Sequence, residues 1–273
     1  MIQEYRIPVK GIRRVTVCHF SDVHLTEWDA LSAPEETEKA QRQTAHWDTL
    51  RQDFCREGGE PYGDFERAAP LTHFRRMLAG CAGADALVMA GDILDYVSPA
   101  NLRAFERETA ACPVPWIAVR GNHEKAAELP DSGAAAAMKA AVQTLDAGDL
   151  RILAFDDAGR SVTEAQNAVL EAELRQAREE GRPRLLAMHV PIMSPGNEAR
   201  FREISPYFIL NYDGCPRENL DFIALIREYA DAVAAVLAGH LHERNVSELC
   251  PGVTQYVTSQ GIVGRMHRYV IGE

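Results

Sequence analysis

Five apolar runs of strand length each lead, within a few residues, to a side chain of metal-ligand type, and this pairing of pattern with chemistry narrows the possible folds sharply. The runs are residues 15–20, 86–90, 116–119, 185–188 and 233–238. They read as candidate β-strands. A further run at 151–155 and a β-rich tail through 253–258 and 265–271 read the same way. Between them lie amphipathic stretches of helical period, near 34–55, 64–79, 99–111, 133–145, 163–180 and 219–229. Thr163 with Gln166 has the form of a capping box, and Gly181-Arg182-Pro183 is a stop signal for the helix between. This alternation predicts an α/β layered fold with much parallel sheet.

The ligand-type residues are Asp22 and His24 in S-D-V-H, Asp92 in G-D-I-L-D, Asn122 in G-N-H-E, His189 in M-H-V-P, and His240 with His242 in G-H-L-H. Open α/β sheets collect their ligands at the carboxyl ends of strands, where all five segments fall. Two divalent cations a few ångströms apart require about this many nitrogen and oxygen donors, with one carboxylate free to bridge. The set contains no thiolate, which argues for an open catalytic site over a closed structural zinc. Gly91, Gly121 and Gly239 each precede a ligand, where a bare backbone permits the sharp turn that aims the side chain. His19, His46, His73 and His267 lack this context and read as structural.

In order and wording the five segments resemble the calcineurin-like metallophosphoesterase superfamily, whose pattern is D-x-H, G-D-x-x-D, G-N-H-[DE], a lone His after a strand, and G-H-x-H. The resemblance runs from about residue 15 to the C-terminus. It implies a four-layer α/β/β/α sandwich of the metallo-dependent phosphatase type, cleaving a phosphoester with a metal-bridging hydroxide. It also implies two divalent ions, Mn²⁺ first, with Fe or Zn²⁺ as the other choices. One ion would be held by Asp22, His24 and His242, the other by Asn122, His189 and His240, with Asp92 between them. His123 would serve the leaving group, Asp95 would orient its imidazole, and Glu124 would stand behind the ligands. Arg120 and Arg265 are the arginines placed to reach phosphate oxygens.

At 273 residues the chain is read as one domain. Two connections exceed what the core needs, near 28–70 and 191–218, and both are read as walls of the substrate pocket. Arg202 and Tyr212, in the second, are the expected contacts beyond the phosphate. Six cysteines without a C-x-x-C suit reduced thiols, and the first residues lack the order of a signal peptide. We therefore expect a cytosolic protein with no membrane span. A net charge of −11 and the lack of a basic, aromatic stripe argue against bulk nucleic acid and a nuclease role. The favoured substrate is a small or nucleotide-like phosphodiester. A protein Ser/Thr phosphatase is the alternative, and Tyr96-Val97 depart from the R-G that follows G-D-x-x-D in that branch. An inactive interaction scaffold of the same fold is disfavoured by the complete ligand set.

Overall fold

A computed structural model describes residues 1–204 and 207–273. In chain order the strands and helices are β1 (Ile2–Ile7), β2 (Val15–Phe20), α1 (Pro34–Glu57), α2 (Pro70–Gly80), β3 (Ala86–Ala90), α3 (Pro99–Ala110), β4 (Trp116–Val119), β5 (Val142–Ala147) and β6 (Leu150–Phe155). There follow α4 (Glu164–Glu180), β7 (Arg184–Ala187), α5 (Glu198–Ile204), α6 (Arg217–Glu228), β8 (Val233–Ala238), β9 (Asn245–Cys250), β10 (Val253–Val257) and β11 (Met266–Ile271).

The strands form two sheets, of five in the order β1-β11-β2-β3-β4 and of six in the order β5-β6-β7-β8-β10-β9. Pairing is parallel through β2, β3 and β4, and through β6, β7, β8 and β10. The sheets pack face to face through Val15, Val17, Val88, Ile152, Leu185 and Leu237. The opposite faces are covered by helices. Phe20 and Met89 meet Phe74 and Met77 of α2 and Phe105 of α3, while Phe155 and Leu186 meet Leu170 and Leu174 of α4 and Phe222 of α6. Alternate residues of one strand thus serve two cores, which is why these strands are mostly apolar. The result is the four-layer α/β/β/α arrangement expected from the sequence. Thr163 and Gln166 form the reciprocal capping box, and Gly181 closes α4 in the left-handed region.

Three expectations are corrected. The stretch 133–145 was expected to be helical. Instead a short 3-10 turn, Ala134–Lys139, gives way to β5, which pairs antiparallel with β6 from Val142 opposite Phe155 to Ala147 opposite Leu150. The alanines gave a local helical bias, and the hairpin through Gly148 (φ +56°) overrode it. The segment 191–218, read as loop, contains α5. The helix expected from residue 64 starts at Pro70, whose ring is tolerated in a first turn but not in a helix interior. Strands β1 and β9 escaped notice because they are the edge strands of their sheets and carry no apolar run.

Helix α1 lies outside the two helix layers. Its Trp47 and Cys55 pack on Ile262 and Val263, in the turn before β11, which holds the helix across the ligand-bearing end of the sheets. Among the described residues no helix is long and apolar enough to cross a membrane, and all six cysteines are free thiols.

Candidate metal centre

All seven ligand-type side chains follow the carboxyl ends of parallel strands: Asp22 and His24 after β2, Asp92 after β3, Asn122 after β4, His189 after β7, and His240 and His242 after β8. The backbone there is strained. Of the six non-glycine residues with positive φ among those described, five are Asp22, His24, Asp92, His240 and His242, at +49° to +74°. Asp and His tolerate this region better than most residues, yet each such residue still costs on the order of 1 kcal/mol or more. Adjacent turns hold one another in place. Asp22 and His24 donate their backbone N–H to the carbonyls of Gly91 and Asp92, and Gly261 and Ile262, in the connection from β10 to β11, donate theirs to Ser21 and Asp22.

The glycines serve close approach as much as turning. Only Gly91 has a positive φ (+85°), and a Cβ there would lie 2.4 Å from the His189 ring. A Cβ on Gly121 would lie 2.1 Å from Asp92 Oδ1, and one on Gly239 would lie 2.3 Å from Ser21 Oγ and 2.9 Å from Asp22 Oδ2. At 121 and 239 the sequence expectation of a special turn gives way to a simple lack of room.

The donors converge in two groups, Asp22 with His24 and His242, and Asp92 with His189 and His240, each with ligand atoms within 4.8 Å of one another. Asn122 joins the second, its Oδ1 lying 3.3 Å from His189 Nε2, which is also 3.3 Å from Asp92 Oδ2. In the first, Nε2 of His24 and Nε2 of His242 face each other at 3.1 Å, with Asp22 Oδ1 3.3 Å from the latter. His240 Nε2 is buried without a partner among the described residues. His189 Nδ1 donates to the Ala90 carbonyl at 2.8 Å, which leaves Nε2 as the lone-pair nitrogen. Converging lone pairs, an orphaned buried nitrogen and ring nitrogens fixed by partners behind them are what a cation pair needs, and the residues fit it. Burial works against the Asp22 and Asp92 charges. The neighbouring His242 and His189 imidazoles nevertheless hold both carboxyls well below the usual range. Burial pushes His240 down to about 3, keeping it neutral.

Behind the ligands stand two buried carboxylates. Glu124 accepts three backbone N–H bonds, from Leu94 on Oε1 (2.7 Å) and from Gly121 (2.7 Å) and Asp92 (3.1 Å) on Oε2, clamping the Asp92 and Asn122 turns together. Burial and the Asp92 charge push it up to about 7. Asp157 does the same for the β7 turn, accepting from the backbones of His189 (2.8 Å) and Val190 (2.9 Å). It was not singled out from sequence, although an acid after the apolar run 150–155 obeys the rule that located the others.

Asp95 sits among three rings. Its Oδ1 accepts from Trp47 Nε1 at 2.8 Å and lies 3.2 Å from His123 Nδ1 and 3.4 Å from His24 Nδ1. His123 Nδ1 also donates to the Asp95 carbonyl at 2.8 Å, which leaves Nε2 for the cavity that His123 lines. Burial disfavours its cation, but the Asp95 hydrogen bond and the Asp92 charge prevail and raise it to about 9. Trp47 stacks on His24 at 4.0 Å between ring centres.

A cavity of about 510 Å³ opens onto Asp92, Asn122, His123, His240 and His242. Its outer walls come from α1 (Trp47, Leu50, Phe54, Glu57), from α5 and the segment after it (Arg200, Glu203, Ile204, Phe208), and from Glu243. Both long connections therefore supply walls, but through residues other than those singled out. Arg120, Arg202, Tyr212 and Arg265 are not among the lining residues. Arg120 pairs with Asp156 at 2.7 Å, and Arg202 pairs with Glu198 one turn back on α5. Tyr212 lies under the Arg160 guanidinium, and Arg265 is buried against Glu60 and Glu66. Intrachain carboxylates claim three of these cations, a partner the local sequence does not reveal.

A family model described as calcineurin-like phosphoesterase matches residues 15–244. No curated protein matches the sequence. Among solved structures, a dimetal phosphatase from Danio rerio is similar over 91% of this chain and 88% of its own, at 14% identity and a TM-score of 0.61, a likeness of fold. A 5'-nucleotidase from Candida albicans SC5314 aligns with 94% of this chain but 47% of its own length, at 15% identity and a TM-score of 0.43.

Proposed function

Since the chain belongs to the calcineurin-like phosphoesterase family and is a metallophosphoesterase, we propose that it hydrolyses a small phosphoester, a phosphodiester by preference, with two Mn²⁺ ions in the cytosol. The observation that carries this reading is the convergence of seven nitrogen and oxygen donors, of which Asp92, Asn122, His240 and His242 line the inner end of a 510 Å³ cavity. Asp22, His24 and His242 would hold one ion and Asn122, His189 and His240 the other, with Asp92 the carboxylate available to both. When bound, such a pair lowers the pKa of a water held between the ions and neutralises charge on the phosphoryl oxygens.

The remaining work falls to side chains. His123 presents Nε2 to the departing oxygen and gives it a proton, while Asp95 fixes the opposite ring nitrogen and so the direction of that proton. Trp47 keeps Asp95 in place and covers His24, which excludes water from that side. Glu124 and Asp157 prevent the ligand turns from relaxing. Two carboxylates, an amide and four imidazoles without a thiolate suit Mn²⁺, Fe or Zn²⁺, and Mn²⁺ is the ion proposed here. A cavity of this size suits a small substrate over a folded phosphoprotein.

The test is a panel of purified protein with Mn²⁺ and a generic phosphodiester, a phosphomonoester, cyclic nucleotides and a phosphopeptide, beside metal analysis of wild type and Asp92→Asn. We expect turnover that a chelator abolishes and Mn²⁺ restores, with at least one ion lost from the variant. Full metal retention in Asp92→Asn would remove the bridging role, and inertness towards every ester would remove the hydrolytic one.

A further inference from the structure

The outer cavity is aromatic and acidic, an unusual lining for an enzyme that must draw in an anion. Phe54, from α1, packs edge-on against His242 with ring centres 4.9 Å apart. Phe208, from the other long connection, packs edge-on against His240, also at 4.9 Å. Two separate insertions thus bring a phenyl ring against the two histidines of one G-H-L-H segment. Phe208 is 47% exposed. A large apolar ring left in water at the mouth of a catalytic cavity is the kind of surface that a ligand covers.

The charges point the same way. Away from the metal ligands and His123, the charged lining residues are Glu57, Glu203, Glu243 and Arg200. Arg200 is already committed, with Nε 2.8 Å from Glu243 Oε1 and Nη1 3.1 Å from Glu203 Oε2. Glu57 has no ion-pair or hydrogen-bond partner among the described residues. Within this cavity a second anionic group on the substrate would meet Glu57 and no guanidinium but the committed Arg200; Arg244 stands in the adjoining cleft beyond Glu57, 3.4 Å from Gln3 Oε1. The phosphoryl group is drawn to the cations, and the rest of the molecule must suit the rim.

We propose that Phe54, Phe208 and Glu57 select the alcohol part of the substrate, favouring a planar apolar group and rejecting a second anion, so that the physiological substrate is a singly phosphorylated ester of an aromatic alcohol. This rests on the hydrolytic reading above. Stacking and burial of one ring against two phenyl groups accounts for roughly a ten-fold preference.

The experiment compares kcat/KM of the Mn²⁺-loaded enzyme for 2-phenylethyl, ethyl and 2-carboxyethyl phosphates and for their methyl diesters, whose leaving alcohols differ little in acidity. The p-nitrophenyl mono- and diesters serve as the baseline. The phenylethyl ester should exceed the ethyl ester by about ten-fold, chiefly in KM, and the ethyl ester should exceed the carboxyethyl ester. Phe208→Ala and Phe54→Ala should each shrink the first ratio to about three-fold or less, and Glu57→Gln should shrink the second. Phe208 is exposed enough that its removal opens no core, and metal content per chain reports whether the centre survives in each variant. A wild-type phenylethyl-to-ethyl ratio near one, or ratios unchanged in both phenylalanine variants, would overturn the proposal while p-nitrophenyl turnover still upholds hydrolysis. Inertness towards the p-nitrophenyl esters too would bring down both.

Discussion

Glu124→Gln tests whether the buried carboxylate behind the metal centre works as an anion. Three backbone N–H groups point at it, two on Oε2 and one on Oε1. Glutamine is nearly isosteric but offers one acceptor oxygen. In its better orientation that oxygen serves Asp92 and Gly121, and the amide NH₂ confronts the N–H of Leu94. One buried N–H is then orphaned, at about 1–3 kcal/mol, and two charge-assisted bonds become neutral ones, at about 0.5–1 kcal/mol each. A total of about 2–5 kcal/mol corresponds to a fall in Tm of roughly 4–10 °C for a chain of this size. The turns carrying Asp92 and Asn122 are also released from each other, so Mn²⁺ affinity should drop by about 10–100-fold. The assay is thermal unfolding at pH 8 with chelator, paired with Mn²⁺ titration at the same pH. Since Glu124 is raised to about 7, it is ionised at pH 8. A Tm within about one degree of wild type and unchanged affinity would mean that the group is held as the neutral acid, which glutamine mimics, and the clamp argument would be wrong.

His123→Ala should keep its metal while the rate falls by about two to four orders of magnitude, less for acidic leaving groups. Equal losses for good and poor leaving groups would reassign His123 to phosphoryl-charge stabilisation. Gly121→Ala should displace the Asp92 carboxylate, which the new methyl would meet at 2.1 Å, and metal analysis should find at least one ion missing. Full occupancy would show that the turn yields instead. Acid should destabilise the fold through His267, buried at the Tyr269 hydroxyl and pushed down to about 3 by burial and the Arg244 charge. Its folded pKa lies below the unfolded value of about 6.5, so the stability it contributes is intact above 6.5 and declines as pH falls towards 3, by about 1.4 kcal/mol per unit. Urea unfolding from pH 7 to 4 should show a shallower decline in His267→Asn than in wild type, and parallel curves would contradict the assignment.

The ligand segments and the strands that carry them were legible in the sequence, whereas the four-layer order came from the family resemblance. Strands buried on two faces are mostly apolar, and their carboxyl ends then switch to polar residues, so Val15–Phe20 followed by Ser21-Asp22-Val23-His24 announces a strand and a site together. The cavity walls were legible only as lengths of chain. Which residue of α5 turns inward depends on where that helix docks, and Arg200 and Arg202, two positions apart, point to different neighbours for that reason. Arg265 could not be separated from a phosphate-binding arginine without knowing that Glu60 and Glu66 surround it. The strand at 142–147 was hidden because its pairing with β6 is non-local, whereas the alanines before it act locally.

The left-handed turns at Asp22, His24, Asp92, His240 and His242 also place the enzyme on an uneven slope of protein evolution. At each of these positions glycine would adopt the same backbone without strain, so the substitutions that destroy the chemistry are among those that relieve the chain. Selection for folding alone would erode the centre one ligand at a time, and stabilising screens without an activity readout would recover the same losses. Five of the seven ligands carry that cost, and the metal centre they form is what gives the chain a reason to keep it.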